Sequence, residues 1–85
     1  MQLSEVVYRV QEYLDRVEAG EVGKNDKRVD LYRRLLRAHE GRESVKVQEA
    51  MTAMINFERR NPIGGIFRSA NELAQAGFMS VRDAT

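Results

Sequence analysis

Val47–Phe57, VQEAMTAMINF, is the stretch on which the fold turns. At about 100° per residue, Val47, Ala50, Met51, Ala53, Met54, Ile55 and Phe57 spread over roughly half of a helix's circumference. That arc is wider than one neighbour needs, so it predicts a central helix packed on two sides. Ala50 and Ala53 admit a close backbone, and Met51 and Met54 fill irregular gaps. Gln48, Glu49, Thr52, Asn56, Arg59 and Arg60 give the same helix a wet face. A second reading treats Met51 and Met54 as a methionine-lined surface that grips a partner.

The helix is predicted over about 44–60, with Ser44 as its cap and Arg59 and Arg60 at the negative end of its dipole. Beyond it, Asn61-Pro62-Ile63-Gly64-Gly65 is the strongest break in the chain, because Pro62 forbids smooth continuation. The two glycines predict either a hinge or a close backbone approach. A shorter helix follows over about 65–76, with Ile66, Phe67, Ala70, Leu73, Ala74 and Gly77 on one face. A capping box at Ser69–Glu72 competes for a later start. Residues 78–85 read as a tail.

Upstream, Leu3, Val7, Val10, Leu14 and Val17 recur at four and three, a heptad seam widened by Val6 and Tyr13. They predict a first helix over about 4–19, capped by Ser4 and stopped by Gly20 in the left-handed C′ position. Glu5–Arg9 and Glu12–Arg16 are favourable i,i+4 pairs. The loop GEVGKND leads to a second helix over about 27–40, capped by Asn25 or Asp26 and stopped by Gly41. Val29, Tyr32, Leu35, Leu36 and His39 share its apolar face. Lys27, Asp30, Arg33, Arg34 and Arg37 share the opposite one, and Leu31 and Ala38 fall between.

The expected fold is therefore all-α, a small bundle of three main helices plus a shorter C-terminal helix in one domain, 1–85. Helices one and two form an antiparallel hairpin. A chain of 85 residues has a thin stability margin. Without cysteine, disulfides cannot supplement it, and a homodimer is the expected remedy. No apolar run approaches the roughly 20 residues of a membrane span, and no signal peptide is visible, so the cytoplasm is the expected compartment.

Catalytic chemistry is poorly provided for. His39 is the sole histidine, so no histidine-rich metal site can be assembled in one chain, and its place on an apolar face reads as a packed residue or a helix C-terminal cation and not as the base of a hydrolase triad. Gly64-Gly65 is followed by Ile66-Phe67, not by the lysine and hydroxyl of a phosphate loop. The expectation is a non-enzyme with no cofactor and no metal.

Charge is uneven. Residues 1–23 carry five acids and two bases, and residues 24–46 carry eight bases and four acids, within a net +1. The basic face of helix two, Lys27, Arg33, Arg34 and Arg37, could meet phosphates. A helix-turn-helix fails in detail, since Glu40 and Arg42 stand beside Gly41 where buried residues are needed. A pI near 8.1 is also modest for a DNA binder. The reading preferred from sequence is a regulatory or adaptor/inhibitor module that covers a partner protein's surface. Tyr8, Leu31, Met51, Met54 and Phe78 are its candidate contact residues, with nucleic-acid binding through helix two as the alternative.

Overall fold

The computed structural model describes residues 2–67 and 71–75. The chain is all-α, with α1 over Leu3–Glu18, α2 over Asp26–Glu40 and α3 over Ser44–Arg60. A short C-terminal helix, α4, is described over 71–75. No strand occurs among the described residues. The predicted early start of α4 fails, because Gly65–Phe67 are not helical. The capping-box residues Ser69 and Ala70, and the tail 78–85, lie outside the described residues.

The helix ends follow from local chemistry, with exceptions. Asn25 caps α2, its side-chain oxygen accepting from the Arg28 N–H at 3.0 Å. Ser4 and Ser44 do not cap. The N-cap positions are Gln2 and Glu43, and neither makes a side-chain cap bond. Gly20 terminates α1 at φ 76°, with the Glu21 N–H donating to the Arg16 carbonyl and the Gly20 N–H to that of Val17, a Schellman ending. α2 ends at Glu40 as predicted and closes in the same form, with the left-handed residue one place beyond Gly41. Gly41 is right-handed, and Arg42 takes the left-handed place at φ 53°.

The main correction concerns the centre. The backbone of α2 approaches both α1 and α3, while among the described residues α1 and α3 do not approach each other closely. Helix two, not helix three, is the middle element. Its buried face is correspondingly broad: Arg28, Val29, Leu31, Tyr32, Leu35 and Ala38. Leu31 and Ala38, which fall between the predicted faces, are buried because a helix with neighbours on two sides needs that wider arc. His39 is exposed instead. The buried stripe of α3 is narrower, and Ala53 and Ile55 are only partly covered. On α1 the fully buried positions are Val6 and Val10, joined by Tyr13 and Leu14, so the stripe is rotated from the Val7 seam.

Met51, Met54 and Phe57 are buried with Val47 and Ala50 in a single core that also takes Leu73 of α4. The expected core role of VQEAMTAMINF is met. Tyr32 joins the layers at ring level. Its ring stands edge-on to Tyr13 of α1 at 5.3 Å and to Phe67 at 6.4 Å between centroids.

Candidate functional site

Two charged side chains lie inside this core. Arg28 of α2 is 3% exposed and Glu58 of α3 is 5% exposed. Their positions follow from helical spacing. Arg28, Tyr32 and Leu35 step by four and three along α2, and Met51, Met54 and Glu58 step by three and four along α3. Each charge thus occupies a place that an apolar residue would ordinarily fill.

Arg28 Nε donates to Glu58 Oε1 at 2.9 Å and Nη2 to Oε2 at 3.0 Å, a bidentate pair. The Tyr32 hydroxyl donates to Glu58 Oε1 at 2.6 Å. Arg28 also lies over the Phe57 ring at 5.0 Å. Its remaining reach goes to the break after α3: Nη2 to the Asn61 carbonyl at 2.8 Å and Nη1 to that of Gly64 at 3.3 Å. Arg28 therefore grips the 61–64 turn from both sides. At Gly64-Gly65 the close approach is made by side chains, not by a second backbone. A Cβ on Gly65 would stand 2.8 Å from Glu58 Oε2, and Gly64 has φ 81°.

The electrostatics follow from the same contacts. Burial pushes the Tyr32 phenol well above its ordinary range, and the bond to Glu58 adds to the rise. Burial alone would lower the Arg28 guanidinium, but the hydrogen bonds and charge of Glu58 outweigh it and hold its pKa above the usual value. The Glu58 carboxylate is occupied by three donors and is closed from solvent, so this cluster clamps α2 to α3.

The clamp fixes what the turn displays. Ile63, at the turn's outer edge, is 92% exposed, the most exposed large apolar residue among those described. Beside the turn a cleft of about 670 Å³ opens between α1, the loop before α2 and Gly64–Ile66. One wall is a polar stripe of α1, Arg9, Glu12, Tyr13 and Arg16, and Arg28 lies at the inner end.

The residues proposed from sequence separate sharply. Tyr8 is 67% exposed on α1. Leu31, Met51 and Met54 are buried among the helices, so their side chains are not on the surface to grip anything. Their apolar spacing reflects the core. Phe78 lies outside the described residues. Lys27, Arg33, Arg34 and Arg37 are all exposed on α2. Arg34 pairs with Asp30 at 3.8 Å, while Lys27, Arg33 and Arg37 have no acidic partner among the described residues. Arg28, Tyr32, Glu58 and Ile63 are what the sequence reading missed. The available signal was a pair of opposite charges at core spacing on two helices, with a proline-glycine break beside one of them.

No family model, curated protein or solved structure matches the chain, so function is argued from its own residues.

Proposed function

We propose that the chain is a non-enzymatic regulatory or adaptor/inhibitor module that covers part of a partner protein's surface, with the Pro62–Ile63 turn as its leading contact. The observation that carries this reading is the fixed turn. Ile63 projects into solvent from a backbone that Arg28 holds at Asn61 and Gly64. Fully covering an isoleucine stabilises a complex by about 1.5–3 kcal/mol. A turn already fixed loses little further freedom on binding, so more of that gain is kept. The partner implied is a protein with a small apolar pocket, and Tyr8 is a second exposed anchor. No helix among the described residues is long and apolar enough to cross a membrane. The cytoplasm and the homodimer belong to this proposal, and sedimentation at micromolar concentration tests the second.

Ile63→Asp is the direct test of the contact. Cross-linking in lysate with the unmodified chain should give one dominant adduct, identified by mass spectrometry. Ile63→Asp should remove that adduct while leaving the melting temperature within about 2 °C, as expected of a surface position. An adduct that survives in Ile63→Asp overturns the reading.

A second reading has its own observation. Lys27, Arg33 and Arg37 expose unpaired positive charge along one helix face. Phosphate contacts through this face would make binding to random duplex DNA fall steeply with salt. Charge reversal of Arg33, Arg34 and Arg37 would abolish it, and Ile63→Asp would leave it unchanged.

A further inference from the structure

The cleft beside the turn has features that neither reading uses. Glu12, Tyr13 and Arg16 follow Arg9 at three, four and seven, so the four share one face of α1 and line the cleft together. Arg9 and Arg16 stand two turns apart, with Tyr13 between them. The Tyr13 side chain is only 6% exposed, yet its hydroxyl has no hydrogen-bond partner among the described residues. Among the described residues no fully covered side-chain oxygen or nitrogen lacks a partner, so that hydroxyl keeps some exposure, and the space Tyr13 lines is the cleft. Arg28 has five N–H groups, of which four are engaged. The fifth belongs to Nη1, which lies beside Gly64 at the cleft's inner end. Val22 and Ile66 supply an apolar patch to the same space.

We propose that this cleft binds a small organic phosphate monoester. Its phosphate would sit among the Tyr13 hydroxyl, the free N–H of Arg28 and the guanidinium groups of Arg9 and Arg16, with its carbon body against Val22 and Ile66. The choice of phosphate over carboxylate rests on competition. Arg16 is held by Glu12 at 3.4 Å and Arg9 by Glu5 at 3.2 Å and Glu72 at 3.9 Å. A ligand that recruits these arginines must outdo resident single-charge carboxylates. A phosphate monoester near pH 7 carries close to two charges and three strong acceptor oxygens, more than any carboxylate offers. The cleft volume lies within the 300–1,000 Å³ usual for small-molecule sites.

The test is a nuclear magnetic resonance titration of the full chain with phenyl phosphate, inorganic phosphate, phenylacetate and benzyl alcohol. Phenyl phosphate should shift the amide signals of Tyr13, Gly23, Gly64 and Gly65 saturably, with a dissociation constant of about 1 mM or tighter. Inorganic phosphate, phenylacetate and benzyl alcohol should each bind at least roughly tenfold more weakly, for want of the body, the second charge or any charge. Tyr13→Phe keeps the ring contact with Tyr32 and should weaken phenyl phosphate roughly tenfold through one lost bond to a charged group. Arg16→Gln, at an exposed position, should weaken it by a similar factor. Binding should also fall several-fold between pH 7.5 and 5.5, as the phosphate passes its second pKa of about 6. The proposal is overturned by unsaturable shifts at about 10 mM, by shifts confined to Lys27–Arg37, by phenylacetate binding as tightly, or by unchanged affinity in both variants.

Discussion

Arg28 and Glu58 meet through two parallel contacts, Nε to Oε1 at 2.9 Å and Nη2 to Oε2 at 3.0 Å, across thirty residues of chain and inside the core. Desolvating both ions is expensive, and the pair only offsets that expense while it stays complete. Removing one member strands the other. Glu58→Ala or Arg28→Met should each destabilise by about 3–5 kcal/mol, a large part of the 5–15 kcal/mol typical of a whole domain. Replacing both by methionine should destabilise less than either single change, because no buried charge is left over. The Tyr32 hydroxyl then loses its acceptor, so adding Tyr32→Phe to the double variant should recover part of the remaining loss. Urea unfolding of the five proteins checks the ordering. A double variant less stable than both singles would mean that the pair itself stabilises the fold.

The two glycines after Pro62 answer to different constraints, and alanine at each should fail for its own reason. At Gly65 an added methyl meets Glu58 Oε2 at 2.8 Å and displaces a carboxylate already held by three donors. At Gly64 the methyl has room, with Arg28 Nη1 at 3.5 Å, but φ is 81°. Gly64→Ala should cost about 1–2 kcal/mol from the left-handed backbone, and Gly65→Ala about 1–3 kcal/mol from crowding. Gly23 has nothing within 4 Å of an added Cβ, so Gly23→Ala should be neutral or stabilising by about 0.4–1 kcal/mol. Thermal unfolding separates the three. Pairing Gly65→Ala with Glu58→Ala should abolish the further loss at Gly65, since the obstructing oxygen is then gone.

Much of the fold was legible, and what was not depends on contacts between helices that no single stretch of sequence encodes. Periodicity in Leu3–Val17, Val29–Leu36 and Val47–Phe57 placed three helices, because one-sided burial imposes its period directly on the sequence. The apolar pattern makes α3 look central because Leu31 and Ala38 fall between the faces of α2, where only a second neighbour buries them, while Ala53 and Ile55 widen the apparent arc of α3 and end only partly covered. The clamp is hidden for a related reason. A lone charge at a core position reads as surface until its counter-charge on another helix is brought beside it, and thirty residues separate Arg28 from Glu58. Ile63 was passed over because the exposure of an apolar residue in a break depends on tertiary packing, which no local pattern encodes.

Arg42 occupies the left-handed C′ position at the end of α2, with φ 53°. The ending is otherwise regular: the Arg42 N–H donates to the His39 carbonyl and the Glu43 N–H to that of Ala38, both at 3.1 Å. The corresponding place after α1 holds Gly20. A side chain with a Cβ pays about 1 kcal/mol or more for this backbone. Arg42 makes no ion pair among the described residues that would compensate. Arg42→Gly should therefore raise stability by about 0.5–1 kcal/mol, and differential scanning calorimetry should show a higher melting temperature. A lower melting temperature would mean that the arginine side chain makes a contact outweighing its backbone strain.

Tyr32 should make the protein sensitive to alkali. Its phenol is raised above the ordinary value, first by burial and then by its bond to Glu58. In the unfolded chain it ionises near pH 10. Below that pH both states hold the proton, and the contribution of Tyr32 to stability is fully present. Above it the unfolded state releases the proton while the folded state keeps it, so the unfolded state binds fewer protons and stability falls as pH rises. The loss from this group approaches about 1.4 kcal/mol per pH unit until the folded pKa is reached. Other groups titrate in the same range, and comparison with Tyr32→Phe isolates the phenol. The variant should be less stable than the parent at pH 8, where the Tyr32–Glu58 bond is intact. The gap should close between pH 10 and 11 as the parent alone carries this linkage. Urea titrations at pH 8, 10 and 11 give the two curves. Parallel curves would place the Tyr32 proton on an ordinary phenol, and the bond at 2.6 Å could not then be the one that anchors Glu58 between α2 and α3.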